Sequence, residues 1–320
     1  MMKSKFIKAL VTGSVLMTAN AFAGIQTVQT NTSQSYAKTK YPILFVHGNF
    51  GFSRLGSADF GLDYWYKILP NLASNGATVY ASQLSPLNST DIRGEQLIAQ
   101  VEEVLAITGK EKVNLMGHSQ GGSTTRYAAG IIPNKIASVT TIAGDHKGTK
   151  VVDFIMQTGL GASVVATFMD LVIGPAIKFA EGRPDLPNDT LASFNSVSTA
   201  GALAFNERFP NGIPTSNCGE GEYVSKGIYN YSWSGAGGIT NVFDPDTLLV
   251  SLSPLAYGLF TSNDGFIGSC DSHFGKVIRD DYYLNHFDEV NQVLGLRGLF
   301  SPDPVSLFRQ HANRLKQQGL

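Results

Sequence analysis

The sequence predicts an α/β fold, a mostly parallel central sheet with helices on both faces. Three observations predict it. A short, continuous apolar run, Ile43–Val46, marks a strand buried on both faces, and Val113–Met116 reads as a further strand. Segments with helical periodicity separate them, and the links are short. A Gly-His-Ser-Gln-Gly sequence, residues 117–121, sits where one strand should turn into a helix.

The elements follow in order. Lys3, Lys5 and Lys8 precede an apolar run, Ala9–Met17, and the small-residue site Ala21-Phe22-Ala23. That is the pattern of a secretory signal peptide, so residues 1–23 are expected to be removed and to lie outside the fold. A Ser/Thr/Gln-rich stretch then leads to Lys40, and the regular pattern begins at the strand 43–46. A helix is expected over 64–72 and a strand over 78–80. The next helix is expected over 91–108, where Leu97, Val101 and Leu105 recur on one face and Gly109 supplies the stop. Strand 113–116, helix 123–129 and strand 136–142 complete the alternation.

Residues 151–180 are apolar on nearly every side, with Val164, Val165, Phe168 and Met169 among them. Such a helix should be buried or should meet something apolar outside the protein. Residues 182–240 are Gly/Asn/Ser/Pro-rich and weakly patterned. A last helix is expected after Asp303 as cap and Pro304 at its first position, with His311 on its solvated face. No repeat or composition break divides 24–320, so one domain is expected.

Composition narrows the function. Of 320 residues, 43% are hydrophobic and 15% charged, which excludes a disordered, solvating chain. There are 24 basic and 25 acidic residues and no basic stripe, so nucleic acid is not an expected partner. Export places Cys218 and Cys270, the only two cysteines, in an oxidising compartment where they are expected to pair.

Gly117-His118-Ser119-Gln120-Gly121 carries the chemistry. A serine at a strand-to-helix turn sits in a strained backbone, so its flanking positions need glycine. It then projects at a helix N-terminus, which favours developing negative charge. The turn after the first buried strand, His47-Gly48-Asn49, is placed to offer a backbone N–H to an oxyanion, and Gln120 offers a second. A serine nucleophile needs an imidazole base, oriented by a carboxylate. His286, in Asn285-His286-Phe287-Asp288, is the expected base; His273 and His311 are the other downstream candidates. For the acid, Asp264 in Ser262-Asn263-Asp264-Gly265 is read as an end-of-strand position, with Asp244, Asp246 and Asp271 as rivals.

These residues resemble the secreted true lipases of Gram-negative bacteria, the Pseudomonas and Burkholderia type of triacylglycerol lipase. The similarity is carried by 42–51, by 113–122, by Asp264-Gly265 and by the long stretch from Ile278 to the end, with Asn285-His286-Phe287-Asp288-Glu289-Val290-Asn291-Gln292 and Gln310-His311-Ala312-Asn313-Arg314-Leu315. The resemblance implies an α/β-hydrolase fold with a helical lid near 151–180, a Ser119–Asp264–His286 triad and the Cys218–Cys270 disulfide. It implies one structural Ca²⁺, held by Asp244 and Asp288 with the carbonyls of Gln292 and Leu296, a cation suited to hard oxygen ligands. It also implies a dedicated foldase, export through the periplasm to the outside, and triacylglycerol at a lipid–water interface as substrate. Asn49 and Gln120 stand where members often carry other residues, changes that backbone donors tolerate.

Overall fold

The computed structural model of the chain describes residues 24–56, 61–158, 186–244, 246–251 and 253–320. The expected leader, 1–23, and the greater part of the expected lid, 159–180, lie outside the described residues. Among the described residues no helix is long and apolar enough to cross a membrane.

The strands are β1 (Ile25–Val28), β2 (Ile43–Val46), β3 (Arg54–Gly56), β4 (Gly61–Asp63), β5 (Val79–Ser82), β6 (Val113–His118), β7 (Ile136–Ile142), β8 (Val224–Ser225), β9 (Ile228–Gly235) and β10 (Lys276–Tyr282). The main sheet runs β1-β5-β2-β6-β7-β9-β10, and β8 pairs on to β9. From β5 to β10 every neighbour on this path is parallel, whereas β1 closes one edge antiparallel to β5 and β8 is antiparallel to β9. The small β3–β4 pair stands apart.

The helices are α1 (Ile68–Ser74), α2 (Thr90–Thr108), α3 (Gln120–Ile131), α4 (Lys150–Thr158), α5 (Thr190–Val197), α6 (Thr199–Arg208), α7 (Thr247–Val250), α8 (Ser253–Tyr257) and α9 (Pro304–Gln317). Side chains alternate along β2 and sort two cores. Ile43 and Phe45 join α1 and α9 residues such as Leu72, Phe308 and Leu315 on one face. Leu44 and Val46 join Leu97, Val101 and Val104 of α2 and Ala128 of α3 on the other. The period-2 pleat therefore covers the sheet with helices on both sides. Caps match the chemistry of helix ends: the Ser89 side chain accepts from Ile92 N, Gly109 ends α2 at φ 63°, and Asp303 accepts from Val305 N with Pro304 following.

Several elements differ from expectation. β1 lies inside the stretch read as an unpatterned leader. α5, α6, β8 and β9 lie inside the weakly patterned 182–240. His311 is not on a solvated face: it is buried, within hydrogen-bonding distance of Thr140 Oγ1 at 2.8 Å and of Arg314 Nη1 at 2.9 Å. The sheet wall behind α9 supplies a polar partner that an amphipathic helix pattern cannot reveal.

Candidate active site

Parallel strands bring their C-terminal ends to one edge, and the site assembles there. β6 ends at His118, and Ser119 follows with φ 55° and ψ −128° as the residue preceding α3. This is a left-handed φ for a non-glycine residue, the kind of strain that persists only when its surroundings enforce it. The glycines on either side explain how the turn closes. A Cβ on Gly117 would lie 2.2 Å from Gly121 O, and one on Gly121 would lie 2.2 Å from Val46 O. Ser119 N–H donates to Ile142 O at 3.0 Å, tying the turn to β7.

His286 and Asp264 come from two loops at the same edge. His286 Nδ1 lies 2.8 Å from Asp264 Oδ2. Because a carboxylate only accepts, Nδ1 carries the proton in this pair. The loops are also locked by backbone, with His286 N–H donating to Asp264 O at 2.9 Å. Asp264 is fully buried, and its Oδ1 accepts from Phe266 N at 2.9 Å and Ile267 N at 2.7 Å. Asp264 does not end a strand, as expected from the run 255–260. That run forms the end of α8 and a turn, and Asp264 sits in an irregular loop bounded by a single Asn263–Gly268 bridge. The His118 ring, next to Ser119, lies 4.5 Å centroid to centroid from the His286 ring.

The rival residues are engaged elsewhere. His273 lies 2.9 Å from Gly219 O and 3.0 Å from Asp280 Oδ2. Asp244 and Asp246 belong to a second cluster with Asp288. Cys218 and Cys270 form a disulfide, Cα–Cα 4.7 Å, that pins the segment following Asp264.

The loop after β2 lies against the serine. A Cβ on Gly48 would be 2.7 Å from Ser119 Cβ. Asn49 Oδ1 accepts from Ser193 Oγ at 2.8 Å. Gln120 is buried, its Nε2 donating to Asn88 O at 2.9 Å. As the first residue of α3, its N–H is among the donors a helix leaves without an intrahelical acceptor.

Four residues support the site in roles that the sequence does not signal: Tyr64, His47, Arg93 and Glu289. Tyr64 OH accepts from Gly48 N at 3.1 Å and donates to His118 Nδ1 at 2.6 Å, linking the β2 loop to the ring that faces His286. His47 is held neutral: Nδ1 donates to Gly48 O at 2.9 Å and Nε2 accepts from Leu84 N at 3.1 Å, while burial, then the Arg93 charge, lower its pKa to about 3. Arg93, fully buried in α2, donates to His47 O at 2.5 Å and Ser85 O at 2.6 Å. Glu289 lies beside Asp264 and accepts from Gly235 N at 2.6 Å. Burial, then the Asp264 charge, push its carboxyl well above the usual range. In the sequence it stands within the stretch that carries the resemblance, with no role of its own.

Asp244, Asp246 and Asp288 are all buried and offer carboxylate oxygens within 4.8 Å of one another. Asp288 Oδ2 accepts from Thr240 Oγ1 at 2.6 Å, and Asp246 Oδ1 from Asn285 Nδ2 at 3.1 Å. Asp244 Oδ2 and Asp288 Oδ1 are buried with no hydrogen-bond donor. Burial, then Asp244 and Asp288, raise Asp246 to about 8, and burial raises Asp288 to about 6. Orphaned buried anionic oxygens at this spacing fit a hard divalent cation. Asp246, which the sequence offers only as a rival acid for His286, joins this cluster instead, two residues from Asp244.

Comparison with known proteins gives the fold and the family. A family model described as the alpha/beta hydrolase fold matches residues 41–253. A triacylglycerol lipase of Vibrio cholerae is 48% identical over 292 residues, covering 90% of this chain and 92% of that protein. One from Burkholderia plantarii is 38% identical, covering 90% and 89%. The crystal structure of a Bacillus licheniformis lipase in mature form superposes with a TM-score of 0.60 at 17% identity, covering 88% of this chain and 94% of that one, a likeness of fold. With the sheet order, the family model and these relatives in agreement, the chain belongs to the α/β hydrolases and, within them, to the bacterial triacylglycerol lipase family.

Proposed function

We propose that this protein is an exported, calcium-stabilised serine hydrolase of triacylglycerols. The observation that carries the reading is the strained Ser119 turn, whose preceding residue His118 has its ring 4.5 Å from that of His286, with His286 hydrogen-bonded to Asp264 at the same sheet edge. Ser119 Oγ attacks the ester carbonyl, and His286 takes its proton and passes it to the departing glycerol oxygen. Asp264 accepts from Nδ1–H and leaves Nε2 as the base. The N–H groups of Asn49 and Gln120 hold the oxyanion; Arg93, His47 and Tyr64 keep the Asn49 loop in place. Water then releases the fatty acid from the acyl-serine.

Asp244 and Asp288 would hold Ca²⁺ with the carbonyls of Gln292 and Leu296, and Asp246 borders them. When bound, the ion supplies the positive charge that the cluster lacks, and Asp288, two residues from His286, ties that support to the base loop. Residues 1–23 act as the export signal, 24–320 as one catalytic domain whose lid lies near 151–180, and a cognate foldase assists folding in the periplasm.

The test is labelling with a fluorophosphonate. Wild-type protein should be tagged at Ser119 and inactivated. Ser119→Ala should escape tagging and retain only oxyanion-hole and binding catalysis, on the order of 10³–10⁴ over water. Tagging of Ser119→Ala, or normal ester turnover by it, overturns the assignment.

A further inference from the structure

Three loops at the sheet edge that carries Ser119 end in bare apolar side chains. Phe243 is 88% exposed, Leu299 90% and Phe300 85%, with Val242, Leu259 and Phe260 also largely bare. The loops belong together. β9 ends at Gly235 and leads into the first, and β10 ends at Tyr282 and leads into the last. A Cβ on Gly298 would lie 2.8 Å from Thr240 O, and Asn241 Nδ2 donates to Arg297 O at 3.4 Å. Gly238 lies against Ser253 Oγ, the first residue of the helix that precedes Leu259 and Phe260.

We infer that these loop tips form a lipid anchor, distinct from the expected lid, that seats the protein on an uncharged ester surface with Ser119 facing it. The inference rests on the lipase reading above. Charge identifies the occupant. Residues 236–243 and 247–263 contain no charged side chain, and Arg297 is the single charge between Glu289 and Asp303. An anionic membrane would call for several basic residues among the apolar ones, and Arg297 is the single one in these segments. Shape points the same way. The side chains stand out from turns, where a folded partner would need matching pockets but a liquid oil surface yields to any protrusion. Position completes the case, because both sheet-derived loops leave the C-terminal ends of their strands, the ends that also carry the candidate nucleophile and its base.

The experiment uses the mature protein and triolein droplets stabilised by a neutral surfactant. Phe243→Ser/Phe300→Ser and Phe260→Ser are compared with Ile107→Ser, an exposed apolar residue near the far end of α2. Thermal melts establish that each variant folds. The double variant should adsorb to droplets about tenfold or more weaker, the scale for withdrawing apolar side chains from oil. Its kcat/KM on a dissolved short-chain ester should stay within about twofold of wild type, and Ile107→Ser should adsorb normally. Unchanged adsorption of the double variant, or an equal loss in Ile107→Ser, overturns the anchor. So does a dimer by sedimentation velocity that the double variant dissociates, which would assign the patch to a second copy. If wild-type protein adsorbs through these residues yet hydrolyses neither ester, the lipase reading fails while the anchor stands.

Discussion

Removing divalent cations should make stability fall steeply with pH, and the size of the effect follows from three carboxylates. In the cation-free cluster burial raises Asp288 to about 6, and burial with its acidic neighbours raises Asp246 to about 8, against 3.8 for an ordinary aspartate. A carboxyl whose folded pKa is raised holds its proton longer folded than unfolded. Its penalty is absent below the unfolded value and grows as pH rises through the folded one. The window is therefore pH 4 to 8. At about 1.4 kcal/mol per decade, Asp288 alone contributes about 3 kcal/mol by pH 8. Asp246 alone comes to about 5 kcal/mol by the same pH, but part of its shift is the charge of Asp244 and Asp288, so the two do not simply add and the cluster destabilises the apo protein by at least about 5 kcal/mol. With about 2.1 cal/mol/K of unfolding entropy per residue, a chain of this size loses about 8 °C in Tm for that amount. The assay is differential scanning fluorimetry from pH 5 to 8, with excess chelator or with calcium. The chelated protein should lose Tm progressively toward pH 8 and the calcium-loaded protein should not. Asp246→Asn should flatten the chelated curve. A gap between chelated and loaded protein that does not change with pH, or no gap at all, refutes the reasoning.

Replacing both cysteines by serine opens a loop spanning 52 residues and should cost about 4 kcal/mol, read as a Tm loss of roughly 6–7 °C; a loss under about 2 °C would refute it. Gly121→Ala drives a Cβ to 2.2 Å from Val46 O, so ester hydrolysis should collapse by at least about a hundredfold, and wild-type turnover would show that the turn relaxes freely. Tyr64→Phe removes the hydroxyl that accepts from Gly48 N and donates to His118; kcat on a dissolved ester should fall about tenfold, with melting changed by only a few degrees. An unchanged kcat would mean that the β2 loop is held without it.

Much of the sheet was legible because its centre is apolar on both faces. The expected strands 43–46, 113–116 and 136–142 all form, the second running on to His118, and Ser119 is framed by glycines that a strand-to-helix turn demands. β9 escaped because its buried residues are half polar. Asn230, Ser232 and Ser234 pair with Glu222 O and Ser225, with Phe274 N and with Ser272, partners drawn from outside the strand. Polar atoms satisfied by distant groups erase the hydrophobic pattern that marks a strand. His311 was misplaced for the same reason, its partner Thr140 being 171 residues away in sequence. By itself the sequence determined the fold class, the nucleophile turn and the kinds of group that must complete it. Which aspartate faces His286, how Glu289 crowds that aspartate, and that Asp246 joins Asp244 and Asp288 were decided only in three dimensions. Those choices depend on distances of a few ångströms between loops. Loop backbones carry no periodicity to read, and the electrostatics that distinguish one buried carboxyl from another exist only once water has been excluded.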